Sequence, residues 1–123
     1  MKIYDASGLF LDIERNTLDN EGFILDITYF EVGNIVHKHH NLLKKIDAVE
    51  ASEILEILES WKNIIYIRSE DVQGIFSICS QTKLSYYDSA YVYFTKKYNA
   101  ALITYDKKII EKCSKMIKID SGN

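Results

Sequence analysis

Residues 85–113 read SYYDSAYVYFTKKYNAALITYDKKIIEKC, and their organisation decides the fold. Ser85 to Tyr98 keeps a helical period, with Tyr91, Phe94 and Tyr98 at i, i+3 and i+7 along one stripe. Ala101 to Thr104 is a short β-rich run, and Lys107 to Cys113 a second, shorter helix. Helix, strand and helix in that order, with no two-residue hairpin turn, is the unit of a parallel sheet with right-handed crossovers. An acid marks each junction. Asp88 falls in the opening of the first helix and Asp106 two residues beyond the strand.

Outward from this unit the alternation continues. Lys2 to Tyr4 has the apolar character of a strand buried on both faces, and Asp5 closes it. Residues 8–20 form a broken helical stretch that ends in the turn cluster Asp19-Asn20-Glu21-Gly22. Phe23 to Ile27 is the second strand, and Thr28 to about Leu43 a helix periodic in Val32, Ile35, Val36 and Leu43. Asp47 to Trp61 is the clearest amphipathic helix, apolar at Ile54, Leu55, Ile57, Leu58 and Trp61 and acidic on much of the other side. Ile64 to Ile67 is the third strand, Ser69 to Thr82 a helix, and Met116 to Ile119 a fifth strand or edge. The expectation is an α/β protein of one domain over residues 1–123, with a central parallel sheet of four or five strands.

Composition narrows the classes. A hydrophobic content of 47% is that of a globular domain, and no apolar stretch approaches the roughly 20 residues of a membrane span. The charges of Lys2 and Asp5 break the first apolar segment, which is therefore no secretory signal, and the chain is expected to be cytoplasmic. Cys79 and Cys113 form neither a redox pair nor a zinc pair. Net charge is −3, yet residues 1–60 carry 5 basic against 12 acidic side chains and the remainder 10 against 6. A basic second half permits a nucleic-acid substrate without requiring one.

Four acids stand where hydrophobic segments give out: Asp5, Glu31, Asp88 and Asp106. Helix capping accounts for any one of them alone. Thr28 and Glu31 have capping-box spacing, Ser85 and Asp88 a related form, and Asp5 and Asp106 precede helices. Together they say more, because two follow strand ends and two enter first helical turns, where the positive end of the helix dipole favours an anion. Open parallel sheets gather function at the carboxyl ends of their strands. Carboxylates meeting there repel, by about 4 kcal/mol for a pair ~4 Å apart at an effective dielectric near 20, and a divalent cation removes that cost. Hard oxygen ligands suit Mg²⁺ or Mn²⁺.

Ile3-Tyr4-Asp5-Ala6-Ser7, Thr28-Tyr29-Phe30-Glu31-Val32-Gly33-Asn34, Tyr87-Asp88-Ser89-Ala90-Tyr91 and Leu102-Ile103-Thr104-Tyr105-Asp106-Lys107-Lys108 resemble, in order, the four acidic motifs of PIN-domain ribonucleases. Size and spacing are similar to the VapC toxins of prokaryotic toxin–antitoxin pairs. The resemblance implies a PIN-like α/β/α sandwich and a metal-dependent endoribonuclease that hydrolyses RNA phosphodiester bonds. It makes Asp5, Glu31, Asp88 and Asp106 the catalytic, metal-binding acids for one or two Mg²⁺ or Mn²⁺ ions. Ser7, Asn34 and Thr104 match supporting polar positions beside them. It further implies a homodimer and an antitoxin partner. The segment between Asp5 and Glu31 is short for such a toxin, and no Pro precedes the Asp88 motif.

The alternative is a non-catalytic protein- or RNA-binding module that retains the acidic cleft. A phospho-acceptor receiver domain does not fit, because Ile67 is followed by Arg68-Ser69 and no Asp closes the third strand. His37-Lys38-His39-His40 lacks a Cys or acid at ligand spacing and reads as a helix face, not a zinc site. Tyr91, Phe94 and Tyr98 read as core, whereas Tyr87 and Tyr105, next to acids, are the aromatic candidates for stacking on bases. The apolar surplus of the helix around Ile54 to Trp61 suits a dimer surface or a partner helix.

Overall fold

A computed structural model describes residues 1–121 of the chain. In chain order these form β1 (Lys2–Tyr4), α1 (Ala6–Arg15), β2 (Ile24–Leu25), α2 (Thr28–His37), α3 (Ala48–Glu59), β3 (Ile64–Ile65), α4 (Val72–Thr82), α5 (Tyr86–Lys97), β4 (Ala101–Ile103), α6 (Lys107–Cys113) and β5 (Lys118–Asp120). A π-helical turn over Lys38–Leu42 extends α2, and a 3₁₀ turn over Ser69–Asp71 leads into α4.

All strand pairings are parallel. β1, β4 and β5 make a three-stranded sheet in the order β1-β4-β5, and β2 pairs with β3. The expected sheet of four or five strands is thus divided. A parallel bridge between Ile3 and Phe23 joins the two parts, with the Tyr4 N–H donating to Phe23 O at 2.8 Å and the Phe23 N–H to Lys2 O at 2.9 Å. The second strand is shorter than its apolar run because Asp26 ends it. Its carboxylate accepts the Ile27 N–H at 3.0 Å and the Ile67 N–H at 3.3 Å, which draws the backbone out of the ladder.

Strand alternation sorts the core into two layers. Ile3, Leu25 and Leu102 pack with Ile75, Tyr91, Phe94 and Ile109 on one face. Their neighbours Tyr4, Ile24 and Ile103 pack with Leu9, Phe10, Val32, Ile54 and Trp61 on the other. Successive residues point to opposite faces, so a sheet covered on both sides needs continuous apolar runs. The result is an α/β/α sandwich, with α1, α2 and α3 over one face and α4, α5 and α6 over the other. Most of the apolar surplus of α3 is used here. Ile54, Leu58 and Trp61 are buried and Ile57 partly so, leaving Leu55 at 42% exposure.

α1 begins at Ala6 because the Asp5 carboxylate caps it, and it ends where Asn16 takes a left-handed φ of 58° that Asn tolerates. Across the joined sheet the strands lie in the order β3-β2-β1-β4-β5. The chain moves from β1 to β2 and β3 in one direction, then returns to place β4 and β5 on the opposite side of β1. The switch point therefore lies between β1 and β4, at whose carboxyl ends a parallel sheet opens a crevice. Asp5 follows β1 there and Thr104-Tyr105-Asp106 follow β4.

Candidate functional site

Asp5 is the most buried of the four acids, at 4% exposure. One carboxylate oxygen accepts the Gly8 N–H at 2.7 Å and the Ser7 hydroxyl at 2.8 Å, and the other accepts the Thr104 hydroxyl. The Ser7 hydroxyl in turn accepts the Tyr105 N–H at 3.1 Å, and Thr104 Oγ1 accepts the Asp106 N–H at 3.1 Å. Ser7 and Thr104 are thus brought to Asp5 and tie it to the loop that carries Asp106. Gly8 permits the approach, since a Cβ there would lie 2.1 Å from the Ile103 carbonyl oxygen.

Asp106 caps α6, one oxygen accepting the Lys108 N–H at 2.8 Å and the Ile109 N–H at 3.4 Å. Asp88 sits in the first turn of α5, where the Ser85 hydroxyl accepts its N–H at 3.1 Å. Glu31 sits in the first turn of α2 but makes no capping box, which corrects that reading. α2 starts one residue earlier than the pattern requires, with Ile27 at the cap position. The Thr28 hydroxyl is turned inward, accepting the Leu25 N–H at 3.1 Å and meeting the Tyr91 phenol at 2.8 Å. The Tyr91 phenol donates to Glu31 at 2.6 Å.

Electrostatics link the four into one group. Burial lifts the Asp5 carboxyl from its ordinary 3.8 to about 6, against the hydrogen bonds from Thr104, Gly8 and Ser7, and Asp106 adds to the rise. Burial raises Glu31 as well, opposed by the Tyr91 hydrogen bond and reinforced by Asp88. Asp88 is raised by burial and by Asp106, with the Ser85 hydrogen bond and Lys108 acting the other way. Asp5 feels Asp106, Asp106 acts on Asp88, and Asp88 acts on Glu31. The two ion pairs of the described residues, Lys2 with Asp19 and Lys97 with Asp71, lie elsewhere.

As they stand, no three His, Cys, Asp or Glu side chains among the described residues are grouped so as to hold a metal ion. The donor set nonetheless fits a hard cation. It offers carboxylate oxygens only, and Asp106 and Glu31 each keep one oxygen free of hydrogen bonds among the described residues. Asn34 is exposed and makes no side-chain hydrogen bond among the described residues, so nothing draws it toward the acids. The histidines are engaged elsewhere: His37 meets Asn41 at 2.9 Å, His40 meets Ile46 O at 2.9 Å, and His39 packs on the Phe10 ring.

Two aromatic assignments change. Tyr91 is core, at 1% exposure, yet its phenol also holds Glu31. The signal was present, since Tyr91 is one helical turn beyond Asp88 and shares its face. Tyr105 is no free stacking platform: its phenol donates to Asp12 at 2.7 Å and the Arg15 guanidinium lies 4.7 Å above its ring. Tyr87 is exposed.

An α/β/α sandwich with four mutually repelling carboxylates at the switch point of a parallel sheet defines a class of acidic-cleft proteins. Residues 7–115 match the family model of the PIN domain, and the chain belongs to that family. Ribonuclease VapC3 of Pyrobaculum aerophilum is 32% identical over 92 residues, which are 72% of this chain and 68% of that protein. Exonuclease VapC9 of the same organism is 22% identical over 98 residues, 80% of this chain and 71% of its own. The crystal structure of PAE2754, also from Pyrobaculum aerophilum, superposes with a TM-score of 0.78 at 25% identity, covering 97% of this chain and 82% of that one. A toxin–antitoxin complex from Klebsiella pneumoniae holds a chain of like fold, with a TM-score of 0.65 at 15% identity over 98% and 97%. No helix of the described residues is long and apolar enough to cross a membrane.

Proposed function

We propose that this chain is a metal-dependent endoribonuclease, one PIN domain over residues 1–123, that hydrolyses RNA phosphodiester bonds as the toxin of a cytoplasmic toxin–antitoxin pair. The observation that carries this reading is the group of four acids whose charges act on one another at the switch point, with no ion-paired base beside them among the described residues. Family membership and the VapC relatives, named a ribonuclease and an exonuclease, support it. The Klebsiella neighbour, a toxin–antitoxin complex, is the reason to expect an antitoxin. A homodimer is part of the same expectation.

Asp5, Glu31, Asp88 and Asp106 would hold one or two Mg²⁺ or Mn²⁺ ions. Such an ion, when bound, polarises the phosphoryl oxygen and lowers the pKa of a bound water. The protein's part is to orient and to hold charge. Gly8, Ser7 and Thr104 fix the Asp5 carboxylate and favour its ionised form. Tyr91 holds Glu31 from the core. Asp106 is oriented by two amides at the start of α6, and its other oxygen accepts no hydrogen bond among the described residues. Exposed Lys107 and Lys108 stand beside it, placed to meet substrate phosphate.

Single-stranded RNA incubated with the purified protein is expected to be cut in millimolar Mn²⁺ and to remain intact in EDTA. One observation favours the non-catalytic module instead, namely that no three acids among the described residues are already grouped around one position. Calorimetric titration with Mn²⁺ separates the readings. No binding at millimolar metal, together with intact RNA, would leave the module.

A further inference from the structure

The catalytic-site reading leaves two buried carboxylates unused, and of these Asp71 is ion-paired with Lys97. Asp12, on α1, is 6% exposed and forms no ion pair among the described residues. Its two oxygens instead accept two phenols, Tyr4 at 3.0 Å and Tyr105 at 2.7 Å. Each tyrosine immediately precedes one of the acids: Tyr4 stands before Asp5 at the end of β1, and Tyr105 before Asp106 beyond β4. The two strands are hydrogen-bonded neighbours, with Tyr4 opposite Ile103 in register. One carboxylate therefore bridges the two chain segments whose separation sets the mouth of the switch-point crevice.

The lever arm is rigid. Asp12 is seven residues beyond the Asp5 cap, roughly 10 Å along the helix at 1.5 Å per residue. Tyr105 is clamped at both ends, its N–H donating to Ser7 Oγ near the start of α1 at 3.1 Å and its phenol to Asp12 further along the same helix at 2.7 Å. The Arg15 guanidinium closes over its ring. The β4–α6 loop is thus laid along α1, and Asp106 follows directly. Tyr4 is held in turn by the Asp19 N–H at 2.9 Å, which fixes the other side of the bridge. A bulky polar bridge of two phenols and an acid is an expensive way to pack a helix on a sheet, since each buried group must be fully partnered.

We infer that Asp12 is a positioning residue for the metal-binding acids, holding Asp106 at its working distance from Asp5 through the Tyr4 and Tyr105 phenols. The inference rests on the proposed metal site. It assigns Asp12 no contact with metal or RNA. Groups that orient ligands from behind typically change metal affinity by about 10–100-fold when removed.

The test uses the full chain and Mn²⁺ alone as probe, followed by calorimetry, with RNA cleavage as a second readout. Tyr105→Phe, at a partly exposed ring, is expected to weaken Mn²⁺ binding about tenfold and to lower kcat with KM for RNA within twofold of wild type. Asp12→Ala is expected to exceed it, and Asp12→Asn, which keeps one acceptor, to recover part of the loss. Tyr93→Phe is the control, because it removes a like bond from tyrosine to the buried Asp71, 3.0 Å long, far from the bridge. Wild-type Mn²⁺ affinity in Tyr105→Phe, or an equal loss in Tyr93→Phe, would overturn the inference. If Asp5→Asn itself leaves Mn²⁺ binding unchanged, the metal-site reading falls and this inference with it; if only Tyr105→Phe is silent, the metal site stands without Asp12.

Discussion

Asp5→Asn is expected to lower RNA cleavage by at least about 100-fold while leaving the fold intact. The magnitude follows from its place: loss of a group behind a ligand already costs about 10–100-fold, and Asp5 is proposed as a ligand itself. The fold should persist because the amide reproduces most of the local contacts. Its oxygen can accept the Gly8 N–H that caps α1, and the Thr104 hydroxyl can reverse from donor to acceptor toward the new amide nitrogen. An inactive variant with native circular dichroism separates chemistry from packing. Cleavage within a few-fold of wild type would remove Asp5 from the site.

The same substitution is expected to stabilise the metal-free protein at neutral pH, and this is the larger surprise. Asp5 has a folded pKa of about 6 against an ordinary 3.8, so folding favours its protonated form. A group raised in this way contributes stability that is fully present below about 3.8 and is lost as pH rises through about 6. Two pH units correspond to about 3 kcal/mol at 1.36 kcal/mol each. Glu31 and Asp88 are raised too and act in the same direction.

Asp71 acts oppositely. Burial alone would raise it, but the Arg68 N–H, Lys97 and Tyr93 outweigh burial and lower it, so its contribution is lost only as pH falls below the ordinary carboxylate range. The window from pH 4.5 to 7 therefore belongs to the crevice acids. In EDTA, urea midpoints of the wild type should fall across that window, whereas those of Asp5→Asn should fall less and end higher at pH 7. Added Mn²⁺ should reverse the order, since a ligand that binds only the folded state stabilises it. A wild-type stability that rises from pH 4.5 to 7 without metal would contradict the uncompensated charge described at the switch point.

Much of this arrangement was legible in the residues. The run from Ser85 to Cys113 specifies helix, strand and helix because its periods differ, and the acids fall at the junctions. The competing explanation by helix capping was half correct. Asp5 and Asp106 do cap α1 and α6, so structure and site use the same carboxylates. It failed at Glu31 because the Thr28 hydroxyl, the local partner a capping box needs, is taken by the Leu25 N–H and by Tyr91.

What could not be read shares one cause. Tyr91 and Glu31 are 60 positions apart, and Tyr105 and Asp12 are 93 apart, so neither pairing leaves a local period. A tyrosine at a core spacing is apolar to pattern recognition, and only the fold shows where its hydroxyl ends. Gly8 was silent for the same reason, because the carbonyl it must clear belongs to β4.

The central claim is that these four carboxylates share a cation, and anomalous scattering from a crystal soaked in millimolar Mn²⁺ tests it most directly. The account predicts a peak at the crevice between β1 and β4, bounded by Asp5, Glu31, Asp88 and Asp106. A crevice without a peak, or a single peak at His37 and His40 instead, would contradict it.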